Sequence, residues 1–225
     1  MVKKMEELFK KLGIKPKDIK LYNTAFAHSS YANEHKAKSD YERLEFLGDA
    51  VVDLAVADYL YSKKDEDEGE MTKVKASYVC ENALYEYSIS LGLNKYLKVG
   101  HGEEMEGGKY KKAIVADIFE ALMGAIYLDL GYATAKNIIL KIIAPYIEDP
   151  STVFFSDYKS RLQEYVQTEQ KSLHYDLVNE EGPSHKKTFT VEVKIDDITY
   201  GVGIKGSKKE AEQEAAKNAL DKIAI

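Results

Sequence analysis

The chain has 225 residues, 44% of them hydrophobic and 31% charged, which allows one large or two modest domains with real cores and excludes a disordered or membrane-embedded protein. No run approaches the roughly 18 consecutive apolar residues that a spanning helix needs, and the single cysteine excludes an intrachain disulfide. The net charge of −6 is split between 21 Lys/Arg against 25 Asp/Glu over residues 1–150 and 11 against 13 over residues 151–225, so a polyanion would have to be held by local basic clusters.

The first thirteen residues, MVKKMEELFKKLG, mix charged with apolar positions and contain no uninterrupted apolar stretch. That predicts an amphipathic helix rather than a signal peptide, and with it a cytoplasmic location. The lone Cys80 agrees with a reducing compartment and reads as a small packed side chain rather than a nucleophile. Helical periodicity then continues almost to Glu148, clearest over residues 41–62, 72–91, 110–129 and 132–147, with an acidic loop at 65–70 and a Gly-rich connection at 101–108 as breaks. These elements make an all-α domain over residues 1–148.

Residues 149–156, with a proline, small polar residues and two phenylalanines, read as a linker. From residue 157 the pattern changes. A helix over about 157–169 is followed by alternating, strand-like stretches at 174–182, 188–196 and 199–206, with a tight turn at Asp196–Asp197. A last helix runs from Lys208 to about Ile223, with Ala211, Ala215, Ala216, Ala219 and Leu220 on its inner face. The order α-β-β-β-α over residues 157–225 predicts a small α+β domain with its helices on one face of an antiparallel sheet.

Four carboxylates stand out in the helical half. Glu45 and Asp49 are spaced i, i+4 and Asp117 and Glu120 are spaced i, i+3, so each pair shares one helix face. Both helices are otherwise largely apolar. An acid turned toward such a core needs its charge compensated, and a hard divalent cation with all-oxygen ligands is one compensation. Ion pairs with Arg43 or nearby lysines are another, and composition leaves both readings open. A di-iron bundle would need Glu-x-x-His pairs, and His28, His35, His101, His174 and His185 show neither that pattern nor zinc-ligand spacing. Gly48 sits inside the first acidic helix at a local cost of about 1 kcal/mol relative to alanine, which close packing or crowding at a metal site would explain.

The stretch ERLEFLGDA at residues 42–50 closely resembles the signature of the ribonuclease III family. DIFEALMGAIYLDLG at 117–131 resembles its second acidic motif, and FAHSSYANE at 26–34 is similar to the region ahead of the signature. The resemblance covers essentially the whole chain. It implies that Glu45, Asp49, Asp117 and Glu120 are ligands of Mg²⁺, with Mn²⁺ as a substitute, and that Asp49 and Glu120 stand closest to the chemistry. It places Glu42 and Glu70 along a cleavage valley, although Glu70 reads equally well as a solvated acid among acidic neighbours. It further implies a homodimer, for which Phe46 and Leu47 are interface candidates or else core of their own domain. His28 and Ser29 are expected to order a loop rather than to catalyse. Tyr41 precedes the signature where several residue types occur in the family, and no role is attached to it.

In the second half, Gln163 and Glu164, the loop GPSHKK at 182–187 and the stretch GIKGSKKEAEQEAA at 203–216 together resemble the double-stranded RNA-binding domain. Lys208 and Lys209 at a helix N-terminus, with Lys205 and Ser207 just ahead, suit phosphate binding. His185 and Gln163 suit contacts to 2′-hydroxyls in the wide minor groove. The expectation from the resemblance is a Mg²⁺-dependent endoribonuclease acting on double-stranded RNA. It would leave 5′-phosphate and 3′-hydroxyl ends with short 3′ overhangs, and serve ribosomal RNA processing and turnover of structured messages. It implies no membrane partner and no organic cofactor. The alternative is a non-catalytic double-stranded RNA-binding protein, against which the presence of all four acids counts.

Overall fold

The computed structural model describes residues 2–63, 66–149, 158–183 and 187–223, with residues 2–4 described as backbone only. The chain divides into two compact units, Met1–Phe155 and Ser156–Ile225. Among the described residues, the regular structure of the first is helical apart from one isolated bridge between Ala27 and Lys98, and the second is helix, three antiparallel strands, helix. The proposed linker, apart from Asp149, lies outside the described residues.

The first unit contains α1 (Val2–Leu12), α2 (Ile19–Ala25), α3 (Ser29–Glu34), α4 (Glu42–Lys63), α5 (Glu68–Tyr78), α6 (Glu81–Leu91), α7 (His101–Met105), α8 (Lys112–Leu130) and α9 (Tyr132–Glu148). Its centre is α8, buried from Ile114 to Ile126 on nearly every side, as a helix apolar all round must be. α2, α4, α6 and α9 pack around it. Asp129 near its end accepts hydrogen bonds from the Lys17 and Asp18 amides, both at 2.9 Å, and from the Tyr22 hydroxyl at 2.8 Å, which ties the start of α2 to the central helix.

The periodicity over 72–91 predicts one helix, and the structure has two. The chain turns extended at Cys80, φ −73° and ψ 160°. The Tyr78 carbonyl, which a continued helix would have bonded internally, accepts the hydroxyl of the buried Tyr87 at 3.1 Å. The acidic stretch expected as a loop begins α5, because the Asp67 side chain caps the Glu70 amide at 2.9 Å and the acids of a first turn are favoured by the helix dipole. The Gly-rich connection likewise holds α7, whose first amide, on His101, is taken by the Glu34 carboxylate at 2.8 and 3.0 Å.

α4 and α8 approach until their backbones touch. A Cβ on Gly48 would lie 1.8 Å from the Glu120 carbonyl oxygen, and one on Gly124 would lie 2.3 Å from the Leu44 carbonyl oxygen. Glycine at both positions is therefore the condition for this crossing.

The second unit contains α10 (Tyr158–Thr168), β1 (Leu173–Glu181), β2 (Thr188–Ile195), β3 (Ile198–Lys205) and α11 (Lys208–Ile223), in strand order β1-β2-β3. Its core is Leu162 and Val166 from α10, Val191, Val193 and Ile195 from β2, and the alanines Ala211, Ala215, Ala216 and Ala219 of α11. Asp196 and Asp197 form the β2–β3 turn with φ of 48° and 65°, the paired positive values of a two-residue hairpin turn. Here too a helix lies on backbone. A Cβ on Gly201 would be 2.0 Å from the Ala215 carbonyl oxygen, and one on Gly203 would be 2.0 Å from that of Ala211.

Replacing Gly48 with alanine should cost at least about 1–3 kcal/mol, the usual penalty for overpacking, read as a lower urea midpoint. Gly102→Ala, where a Cβ meets nothing within 4 Å, should be neutral or stabilising by up to about 1 kcal/mol. Equal midpoints for the two variants would contradict the close crossing.

Candidate functional site

The α4–α8 crossing decides which acids meet. Glu45, one turn before the Leu44–Gly48 contact is complete, faces Asp117 and Glu120 across it, and carboxylate oxygens of these three residues lie within 4.8 Å of one another. All three are half-buried. Asp117 and Glu120 are polar interruptions in the otherwise buried middle of α8. Among the described residues, neither Arg43 nor any lysine forms an ion pair with the three, and the reading of carboxylates paired with basic side chains has no support here.

Burial and mutual repulsion therefore act on these carboxyls with little relief. Glu120 is pushed up to about 8, chiefly by burial and next by the charges of Asp49, Glu45, Asp117 and Asp53. Glu45 is pushed up to about 7, again by burial first and then by Asp117, Glu42, Asp49 and Asp40. Asp117 is raised by burial, against which the Tyr41 hydroxyl bond acts. Three half-buried oxygen ligands with surplus negative charge fit a hard divalent cation, which prefers carboxylates and retains waters at its open positions.

The other acids named from the sequence take different places. Asp49 is exposed one turn beyond Glu45 and outside the three-residue group, yet after burial its charge is the largest influence raising Glu120. Glu42 is exposed in the first turn of α4 and its charge reaches Glu45 and Asp117. Glu70 is exposed in the first turn of α5, its amide held by Asp67, and is outside the group. His28 caps α3, accepting from the Ser30 amide at 3.2 Å, which is an ordering role.

Sequence reasoning passed over two neighbours. Tyr41 is 3% exposed and donates its hydroxyl to Asp117 Oδ2 at 2.9 Å. Glu81, in the first turn of α6, is close enough for its charge to raise Asp117. Neither carries a local signal, since Tyr41 lies outside α4 and is 76 residues from Asp117 in the chain.

In the second unit, Gln163 and Glu164 are exposed on α10 beside a shallow recess that Lys159, Ser160 and Tyr175 complete. Lys208 and Lys209 are exposed in the first turn of α11. Ser207 caps that helix. Its Oγ accepts from the Glu210 amide at 3.3 Å, as an N-cap side chain does, and donates to Glu210 Oε2 at 3.0 Å. Lys205 is paired with Glu214 at 2.8 Å on the surface, where solvent screens the pair and it is readily exchanged for a phosphate. His185 lies outside the described residues. No helix among the described residues is long and apolar enough to cross a membrane.

Residues 18–147 match the Ribonuclease-III-like family model and residues 158–223 the double-stranded RNA binding motif. The chain is 48% identical over 224 residues to Ribonuclease 3 of Onion yellows phytoplasma, covering 99% of this chain and 93% of that one. It is 47% identical over 216 residues to Ribonuclease 3 of Oceanobacillus iheyensis, covering 94% and 95%. Among solved structures, the nuclease domain of ribonuclease III from Campylobacter jejuni, whose description concerns flexibility in a region involved in dimer formation, is similar with a TM-score of 0.59 and 39% identity. That match covers 63% of this chain and 96% of the other.

The raised carboxyls predict a pH dependence. A folded-state value raised above the ordinary 4.5 means that the folded protein holds protons which the unfolded chain has released. That contribution to stability is complete below about 4.5 and lost as pH rises through 7 and 8. In chelator, melting temperature relative to Glu120→Gln should therefore fall between pH 5 and pH 8.5. Adding Mg²⁺ or Mn²⁺ should stabilise wild type at pH 8.5 and barely at pH 5, because the ion competes with those protons. Parallel melting curves for the two proteins across that range would contradict the assignment.

Proposed function

Because the chain belongs to the ribonuclease III family, we propose that Glu45, Asp49, Asp117 and Glu120 hold Mg²⁺, with Mn²⁺ as a working substitute, at the centre of its endonuclease site. The protein is an endoribonuclease of double-stranded RNA. The observation that carries the metal assignment is the group of three half-buried carboxylates within 4.8 Å, with no basic side chain paired to them among the described residues. A bound divalent ion would supply an activated water and neutralise charge on the attacked phosphate. The chain's own part is to hold the ligand oxygens on two helices whose slide is resisted, since it would bring a Cβ to a place where only Gly48 or Gly124 fits against backbone. Asp49 and Glu120 are assigned the places nearest the scissile phosphate, with Glu42 and Glu70 along the groove leading to it.

The remaining assignments follow the family. Hydrolysis leaves 5′-phosphate and 3′-hydroxyl ends with short 3′ overhangs, and the cellular roles are ribosomal RNA processing and turnover of structured messages in the cytoplasm. Two copies pair through α4, whose outer face carries Phe46, 83% exposed, with Leu54 and Tyr61 also exposed. So much uncovered apolar surface on one helix fits an interface better than solvent. Residues 157–225 dock the duplex through Gln163, Glu164, His185, Lys205, Ser207, Lys208 and Lys209, reading A-form shape rather than sequence. Residues 1–148 form the nuclease domain and 149–156 join the two.

Glu120→Gln should keep the side chain's shape and lose at least about a hundredfold in cleavage, roughly 2.7 kcal/mol in barrier. Its duplex affinity in Ca²⁺, which suppresses turnover, should be unchanged or slightly higher. Glu42→Gln should lose much less. Cleavage by Glu120→Gln near the wild-type rate in millimolar Mg²⁺ would overturn the ligand assignment, and equal loss of binding and cleavage would make Glu120 a structural residue. Duplex DNA should be bound poorly and left uncut.

Residues 1–148 alone should dimerise by light scattering and cleave only at low salt, because the lost lysines remove phosphate contacts. Undiminished cleavage at physiological salt would contradict the docking role of Lys205, Lys208 and Lys209.

A further inference from the structure

We propose that Tyr41 is a positioning residue of the metal site: its hydroxyl fixes one oxygen of Asp117 and so presents the other to the cation. The inference rests on the metal reading given above and adds to it a residue with no assigned role.

Tyr41 is anchored from several directions. Its amide donates to the Ala27 carbonyl at 2.9 Å, and its own carbonyl accepts the amides of Leu44 at 2.8 Å and Glu45 at 2.9 Å. The residue thus opens α4 and holds the backbone of one ligand, Glu45, while its hydroxyl reaches a second ligand, Asp117, at 2.9 Å on α8. Its ring packs against the His28 ring, with centroids 5.7 Å apart. His28 is itself fixed through Ser30, whose Oγ lies 2.7 Å from His28 Nδ1 and accepts the Gly100 amide at 2.8 Å. At 3% exposure the phenol has little room to swing away.

A carboxylate with both oxygens free can rotate and must lose that freedom when an ion binds. Asp117 has Oδ2 already held, and among the described residues Oδ1 has no hydrogen-bond partner. The donor's chemistry matters as well. A lysine at this place would cancel the charge that attracts the cation, whereas a phenol holds the oxygen and leaves the carboxylate its full charge. Groups that orient metal ligands in this way typically change metal affinity by about 10–100-fold when removed.

The test is Mn²⁺ binding to the metal-free full-length protein, followed by the paramagnetic resonance signal of free Mn²⁺, for wild type, Tyr41→Phe and Glu45→Gln. Tyr41→Phe keeps the ring and removes only the hydroxyl. Its affinity for Mn²⁺ should fall about tenfold or more, and the Mg²⁺ concentration for half-maximal cleavage should rise in step. Its circular dichroism spectrum in chelator should stay that of the folded wild type, so that the loss reads as metal binding rather than unfolding. An affinity within twofold of wild type, with Glu45→Gln losing Mn²⁺, would overturn the role of Tyr41 and leave the metal site intact. A fall in affinity accompanied by loss of the folded circular dichroism spectrum in chelator would reduce Tyr41 to a packing residue and overturn the proposal. If Glu45→Gln bound Mn²⁺ as wild type does, the metal reading itself would fail and the inference with it.

Discussion

The contact between α4 and α8 is the constraint from which the nuclease half of this protein follows. Two helices normally keep their axes about 8–10 Å apart because side chains stand between them. Here Gly48 and Gly124 remove those side chains at reciprocal positions, and the backbone of each helix meets the other's glycine. The approach brings Glu45 on one helix beside Asp117 and Glu120 on the other. It also locks their relative height, because a slide in either direction would meet Leu44 or the Glu120 carbonyl. A ligand set spread over two separately moving helices would have no fixed geometry. Joined by this crossing, the set becomes as rigid as the core around it.

That rigidity has an electrostatic cost. α8 is the most buried helix of its unit, and placing Asp117 and Glu120 on it sets carboxylates where charge is poorly solvated. The raised values of Glu45 and Glu120 are the measure of this conflict. A site designed for stability alone would put lysines opposite these acids or replace them with apolar residues. The surrounding structure instead supplies neutral restraint: the Tyr41 hydroxyl on Asp117 and, further out, the capped loop around His28 and Ser30. Lys75 is directed to Asp53 on α4 at 2.7 Å, two turns beyond Glu45. The surplus negative charge is left for a cation to satisfy.

The second unit uses the same backbone-on-backbone device for a different purpose. Gly201 and Gly203 let α11 settle on β3 through Ala211 and Ala215, so a thin core of alanine, valine and isoleucine suffices. With the helix so close to the sheet, its N-terminal turn, capped by Ser207 on the Glu210 amide, is held firmly with Lys208 and Lys209 exposed beside it. A few lysines at a fixed helix terminus act together with the aligned amides. An acidic chain can therefore carry a local polyanion surface without a basic composition.

Much of this was legible in the amino-acid order. The period of the apolar residues marked a helical half and a strand-bearing half, and the i, i+4 and i, i+3 spacings marked acids sharing helix faces, because those patterns depend only on local geometry. Gly48 stood out for the same reason, as a helix breaker in a position that demanded an explanation. What local geometry cannot carry is the meeting of distant segments. That Glu45 joins Asp117 and Glu120 while Asp49 stands outside them depends on the rotation of α4 against α8, and that rotation is set by two glycines 76 residues apart. The break at Cys80 depends on a hydroxyl from Tyr87, and the tie between Tyr41 and Asp117 on a residue that belongs to no helix face. These choices were made by packing in three dimensions, where a side chain's partner is whatever the fold brings within about 3 Å rather than whatever stands next to it in the chain.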